Sequence, residues 1–177
     1  MSRTGRNHKT NAPKNLNFAV VICSSSRHQK LNTGKNVIDQ SGDLIVETLR
    51  QHGHSVTYRT LIPDDQKLIK QCIKKALSSS AVDVVVTCGG TGISPTDVTI
   101  EGVQPLLEKE INGFGEVFRA LSYKQIGSAV ILSRALAGVS HGKALFCMPG
   151  SPKAVSLCLE EIILPEVGHI IKHARGK

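Results

Sequence analysis

Tryptophan is absent from this sequence, and its 177 residues include only two Tyr and four Phe. Proteins that hold single-stranded nucleic acid stack its bases on such rings, so that class of partner is not expected. No apolar run approaches the roughly 20 residues of a membrane-spanning helix. The first fifteen residues, MSRTGRNHKTNAPKN, carry positive charge but lack the apolar run of a signal peptide. A cytoplasmic protein is the expectation. None of the five cysteines (Cys23, Cys72, Cys88, Cys147 and Cys158) belongs to a C-x-x-C pair. Buried free thiols in a reducing compartment explain them better than zinc or disulfides. His28, His52, His54, His141, His169 and His173 read as surface or turn residues without metal-ligand spacing, and no Ser-His-Asp or Cys-His arrangement is evident.

The net charge of +8 is concentrated at one end. Arg3, Arg6, Lys9 and Lys14 fall within residues 1–15, which hold no acid, and the remainder has 18 basic against 14 acidic residues. Residues 1–15 read as a flexible basic tail that solubilises the chain. Residues 16–177 suit one domain, long enough to bury most of its apolar surface.

The stretch VDVVVTCGGTGISPTDVT, Val82 to Thr99, is the densest in chemistry. An apolar run of strand length stops at Gly89, Gly90, Thr91 and Gly92. Glycines at the carboxyl end of a buried strand let backbone N–H groups approach a phosphate. They serve equally as a tight turn that needs positive φ. The loop has neither the Gly-Lys-Ser/Thr ending of a P-loop nor G-x-G-x-x-G spacing.

Around this loop the pattern reads β-α-β-α-β. Leu16–Cys23, His54–Ile62 and Val82–Thr87 are strands. Helices are predicted over 37–51 and from Pro63-Asp64-Asp65 to Ser78–Ser80, the second with Leu68, Ile69, Cys72, Ile73, Ala76 and Leu77 facing inward. Ser24–Asn36 reads as loop. Thr99 caps a helix to about Glu110, a further helix covers Phe114–Tyr123, and strands Ser133–Val139 and Lys143–Met148 form a hairpin across Ser140-His141-Gly142. Ser151 as N-cap and Pro152 at the first helical position start the last helical stretch. It continues past Pro165 to His173.

Two glycine-containing turns therefore join strand to helix: Gly89–Gly92, and Pro149-Gly150-Ser151-Pro152. If their strands are parallel, both turns lie at one edge of the sheet and suit a ligand with several phosphates. Asp64 and Asp97 follow strands toward the same edge. Each reads singly as a cap, and together they suit Mg²⁺, which takes one or two carboxylates plus substrate phosphates. Arg27, Arg134 and Lys153 are nearby cations.

These features resemble the MoaB/MogA family of molybdenum cofactor biosynthesis proteins. The resemblance is carried, in the family's order, by SGDLIVETLRQHGH (Ser41–His54), IPDD (Ile62–Asp65), CGGTGISPTDVT (Cys88–Thr99), INGFGEVFRALSY (Ile111–Tyr123), ILSRALAG (Ile131–Gly138), MPGSPKAV (Met148–Val155) and ILPEVGHI (Ile163–Ile170). It implies a three-layer α/β/α fold with a mostly parallel, mixed five-stranded sheet. It also implies molybdopterin binding and Mg²⁺- and ATP-dependent adenylylation of molybdopterin, the product then receiving molybdate or tungstate. Asp64 and Asp97 match the family's functional aspartates, the proposed metal holders; Gly89–Gly92 match its glycine loop; Ser133, Arg134, Gly150 and Ser151, beside Pro149, match its pterin pocket. Homotrimers or hexamers and a downstream metal-insertion enzyme are the implied partners. Where many members have Ser-Asp-Arg after the first strand, this chain has Ser24-Ser25-Ser26-Arg27; Thr96 replaces a basic residue before Asp97, as in archaeal MoaB proteins. A non-catalytic molybdopterin carrier or scaffold is the alternative reading.

Overall fold

The central strands are apolar over most of their length because the structure covers both of their faces. In the computed structural model, which describes residues 12–176, β1 is Asn17–Cys23 and every residue after Asn17 is buried. Phe18, Val20 and Ile22 face one core layer, and Ala19, Val21 and Cys23 the other. β3 (Val84–Cys88) and β6 (Lys143–Met148) divide their side chains in the same way. Such two-sided burial is what parallel strands with helices on both faces require.

The sheet has six strands in the order β2-β1-β3-β6-β5-β4. β2 (Ser55–Ile62), β1, β3 and β6 are mutually parallel. β5 (Leu136–Ser140) runs antiparallel to β6, joined by His141 and Gly142, both at positive φ (52° and 69°) as a tight two-residue hairpin demands. The sixth strand, β4 (Lys109–Glu110), corrects the expected five. It is two exposed polar residues on the sheet edge, with no alternation from which to infer a strand.

One layer holds α2 (Gln40–Gln51), α5 (Asn112–Ile126) and the C-terminal helices, which bury Ile45, Leu49, Phe114, Phe118, Leu159, Ile163 and Val167. The opposite layer is mainly α3 (Gln66–Ser78), through Ile69, Ile73, Ala76 and Leu77. Leu68, expected on that inner face, is 45% exposed, because the buried stripe starts one residue later. Ile38, within the predicted helix 37–51, precedes α2 and is exposed.

Three further expectations change. Residues 25–32 form a helix, α1 (Ser25–Asn32), where a loop was predicted; it has no buried residue, so apolar periodicity could not reveal it. The helix expected from Thr99 to Glu110 stops early: α4 (Thr99–Val103) tightens into a 3-10 turn over Gln104–Leu106, with Pro105 in it. Thr99 is its first residue rather than its cap, and its hydroxyl donates to the Gly89 carbonyl (2.9 Å). The final stretch is continuous as expected, running through α6 (Pro152–Ser156), a π-helical segment at Leu157–Ile163 and α7 (Leu164–Ala174).

Of the predicted basic tail, residues 1–11 lie outside the described residues. Ala12 and Pro13 sit against Gly168 of α7, where a Cβ would come within 2.6 Å of the Pro13 carbonyl oxygen. The packed chain thus begins before Leu16. His54 is partly buried: it is tilted against Phe18, and its Nδ1 accepts from Leu16 N–H (3.2 Å). His169 and His173, one turn apart on α7, meet at 2.8 Å between their Nε2 atoms. Cys23, Cys88, Cys147 and Cys158 are buried free thiols and Cys72 is partly buried. Among the described residues, no helix is long and apolar enough to cross a membrane.

Candidate active site

Parallel pairing brings the carboxyl ends of β1, β2, β3 and β6 to one edge, where Cys23 lies beside Ile62, and Cys88 beside Ile22 and Met148. The loops leaving that edge enclose a cleft of about 340 Å³. It is lined by Asp64, Asp97, Gly89, Gly90, Thr91, Gly92, Ser133, Pro149 and Gly150 among the residues predicted from sequence.

Its floor is backbone. Gly89 and Gly90 have φ of +98° and +63°, a region that L side chains rarely adopt. A Cβ on Gly89 would strike the Cys23 carbonyl, and one on Gly90 would strike the Thr99 hydroxyl and lie 2.8 Å from Asp64 Oδ1. The second turn rests directly on the first: a Cβ on Gly150 would lie 3.2 Å from the Gly89 Cα, and Gly89 N–H donates to the Met148 carbonyl (3.1 Å). Ser41, in the first turn of α2, donates its hydroxyl to the Gly150 carbonyl (2.7 Å).

The neighbouring aspartates Asp64 and Asp65 separate into two roles. Asp65 is the N-cap of α3, accepting from Leu68 N–H (2.9 Å). Asp64 turns toward the cleft: Oδ2 accepts from Ser25 N–H (2.7 Å), and Ser25 Oγ accepts from Asp64 N–H (2.9 Å). Asp64 Oδ1 is buried with no partner. A buried carboxylate oxygen without a donor is costly unless a ligand completes it. Asp97 does not cap a helix either. Its Oδ2 accepts from Ser94 N–H (2.9 Å), and its backbone N–H donates to the Ser94 carbonyl (2.9 Å), which holds the loop in a turn with the carboxylate on the cleft.

Arg134 and Ser151 do not line the cleft. Ser151 caps α6, accepting from Ala154 N–H (3.3 Å), as its sequence position predicts. Arg134 grips the outside of the glycine loop. Its Nε donates to the carbonyls of Thr91 (3.0 Å) and Gly92 (2.8 Å), Nη2 donates to the Asp97 carbonyl (3.1 Å), and Glu101 takes the remaining edge (2.5 Å to Nη1). That pairing holds the Glu101 carboxyl below the usual carboxylate range. Lys153 lies in a separate groove beside Glu160.

Arg27, read from the sequence as a cation near this edge, lines the cleft, and so do Cys23, Ser24 and Leu132, which the sequence did not assign to the site. Cys23 is no nucleophile: burial, reinforced by neighbours that include Asp64, pushes its thiol up to about 12. Among the described residues no group of three or more His, Cys, Asp or Glu side chains is placed to hold a metal ion, so a cage made wholly of protein ligands is not built here. A cleft with two carboxylates, a glycine floor and an arginine is suited to a phosphorylated ligand.

Known proteins are similar to this chain over nearly its whole length. Residues 19–169 match the family described as "Probable molybdopterin binding domain". The "Molybdenum cofactor biosynthesis protein B" of Bacillus cereus is 46% identical over 164 residues, covering 92% of this chain and 93% of that one. The "Molybdopterin adenylyltransferase" of Pyrococcus furiosus is 46% identical over 172 residues, covering 95% of this chain and 96% of that one. The crystal structure of the tungsten cofactor synthesizing protein MoaB from Pyrococcus furiosus superposes with a TM-score of 0.81 at 44% identity, covering 93% of this chain and 99% of that one. With nearly its whole length matched, the chain belongs to the family of MoaB-type molybdopterin-binding domains.

Proposed function

We propose that this chain transfers the adenylyl group of ATP to the phosphate of molybdopterin in molybdenum or tungsten cofactor biosynthesis. A molybdopterin phosphate oxygen attacks the α-phosphorus of ATP, the bond from that phosphorus to the β-phosphate oxygen breaks, and pyrophosphate leaves. The single observation that carries an active site, rather than a carrier, is Asp64, whose Oδ1 is buried beside Gly90 with no hydrogen-bond partner.

Nucleotidyl transfer asks a protein chiefly for positioning and charge stabilisation. The floor at Gly89, Gly90 and Gly150 gives phosphates close access to backbone, and Ser133 offers a hydroxyl at the rim. Asp64 and Asp97 are the residues that would hold Mg²⁺, and the orphan oxygen of Asp64 fits that duty. When bound with ATP, Mg²⁺ neutralises phosphate charge as it develops in the transition state. Because Cys23 stays a neutral thiol, no covalent enzyme intermediate is invoked.

The same reading carries a cytoplasmic location, a homotrimer or hexamer, and a metal-insertion enzyme downstream. Exposed Ile126, Ile131 and Leu132, the last on the cleft rim, support self-association. Pyrophosphate release from Mg-ATP, dependent on molybdopterin, tests the proposal. Tight molybdopterin binding with no pyrophosphate release would instead establish the carrier reading.

A further inference from the structure

Arg27 lines the cleft, Arg134 binds the loop that forms its wall, and Arg59 shares Asp39 with Arg27; their hydrogen-bond accounts differ. Arg134 has all three guanidinium nitrogens engaged by the protein. Arg59 has both terminal nitrogens engaged: Nη1 with Asp43 (2.6 Å), and Nη2 with the carboxylate and carbonyl of Asp39. Arg27 makes a single side-chain bond, Nη1 to Asp39 Oδ1 at 3.0 Å, so among the described residues its Nε and Nη2 donors have no acceptor. It is also the one cationic side chain among the described residues that line the cleft.

Asp39 ties one nitrogen of Arg27 and leaves the others open. Its side chain is only 9% exposed and lies between two guanidiniums, Arg27 on Oδ1 and Arg59 on Oδ2. Oδ1 also accepts from Gly42 N–H (3.1 Å), which caps α2. A Cβ on Gly42 would run into Asp39 and Arg59, so this glycine leaves room for the arrangement. With Asp43 on Arg59 Nη1 the charges of the four side chains balance, so what Arg27 offers the cleft is its unengaged pair of donors.

We propose that Arg27 binds a phosphate group of the substrates through its unengaged guanidinium edge, and that Asp39, steadied by Arg59, is the positioning residue that keeps that edge toward the cleft. The assignment rests on the adenylyl-transfer reading for its substrates. It leaves two sources for the phosphate, the ATP chain and molybdopterin, which share one chemistry. A planar guanidinium with one edge tied and the other open suits bidentate phosphate recognition.

The test uses the full chain, with KM for ATP and for molybdopterin measured separately. Arg27→Ala raises one of these constants by about tenfold or more, as expected for one lost charge-assisted contact, while kcat stays within about threefold. Which constant moves names the phosphate. Arg27→Lys restores part of the loss, since charge returns without the fork. Asp39→Asn preserves the helix cap but removes the charge. It raises the same constant several-fold, about three to five, and adds nothing further in the Arg27→Ala background, because Asp39 acts through Arg27. Should Asp39→Asn not fold, Arg59→Lys replaces it in the cycle. Both constants within about twofold of wild type in Arg27→Ala would overturn the assignment of Arg27; full additivity of the two changes would overturn the positioning role of Asp39. A wild-type chain that releases no pyrophosphate would count against adenylyl transfer instead, and Arg27 would then be judged by molybdopterin affinity in the same variants.

Discussion

Replacing Arg134 with Ala separates a loop-holding residue from a substrate-binding one. The change removes the Nε donor shared by the Thr91 and Gly92 carbonyls and the Nη2 donor to the Asp97 carbonyl. Hydrogen bonds from a charged group contribute about 1.5–3 kcal/mol each, and a side chain one-third exposed calls for the lower end, so two donors amount to roughly 3 kcal/mol. The loss falls on the segment that carries Thr91, Gly92 and Asp97 rather than on the core. If turnover needs that segment ordered, 3 kcal/mol corresponds to about a hundredfold slower adenylylation. The Glu101 partner gives the internal control. That ion pair is exposed on both sides (33% and 43%), so Glu101→Gln changes stability by about 1 kcal/mol at most and turnover by no more than about fivefold. Arg134→Lys recovers only part of the activity, since one ammonium does not span three carbonyls. The assay is pyrophosphate release alongside thermal melting of each variant. Arg134→Ala with turnover within about threefold of wild type would refute the loop-holding argument; a melting temperature lowered as severely as by a core truncation would show that the arginine serves the whole domain.

Asp64→Ala and Asp97→Ala each reduce adenylylation about 100-fold or more while molybdopterin affinity, followed by fluorescence titration, survives; near-normal turnover in both removes them from the chemistry. Ser151→Ala costs about 1 kcal/mol through its lost cap, visible in a denaturant titration, and since the hydroxyl faces Ala154 N–H rather than the cleft, substrate affinity holds. Burial, with His52 nearby, lowers the pKa of His54 from 6.5. The unfolded chain therefore takes up the proton first as pH falls, so stability is full above about 6.5 and declines from there down to the folded pKa. A plot of unfolding free energy against pH from 7.5 to 5 should show this decline and flatten in His54→Asn; an equal slope in the variant would assign the effect elsewhere.

Much of the frame was legible because it is written in local pattern. The runs at β1, β3 and β6 are apolar on successive residues, which is what two-sided burial imposes, and Ser151-Pro152 states a helix start outright. The features that escaped are held by polar contacts between distant residues. α1 has no apolar face; its tethers are Ser24 N–H to the Ile62 carbonyl, the paired bonds of Ser25 with Asp64, and Arg27 with Asp39. The division of labour between Asp64 and Asp65 is likewise invisible in sequence, where either could cap α3, and is decided by which carboxylate reaches Leu68 N–H. Arg134 was placed at the right edge by its motif, but the direction of a guanidinium depends on carbonyls some forty residues away.

The contact between Gly89 and Gly150 constrains how this site can diverge. Gly150 leans on Gly89, and Gly89 leans on the Cys23 carbonyl, so three strand ends form one stack of bare backbone. A side chain introduced at either glycine would displace strands as well as ligand. The floor is therefore a fixed part, common to whatever substrate the cleft accepts. Changes of preference must be written into the rim, where Arg27, Leu132 and Ser133 are free to vary without moving the sheet, and a redesign aimed at another phosphorylated ligand should begin there.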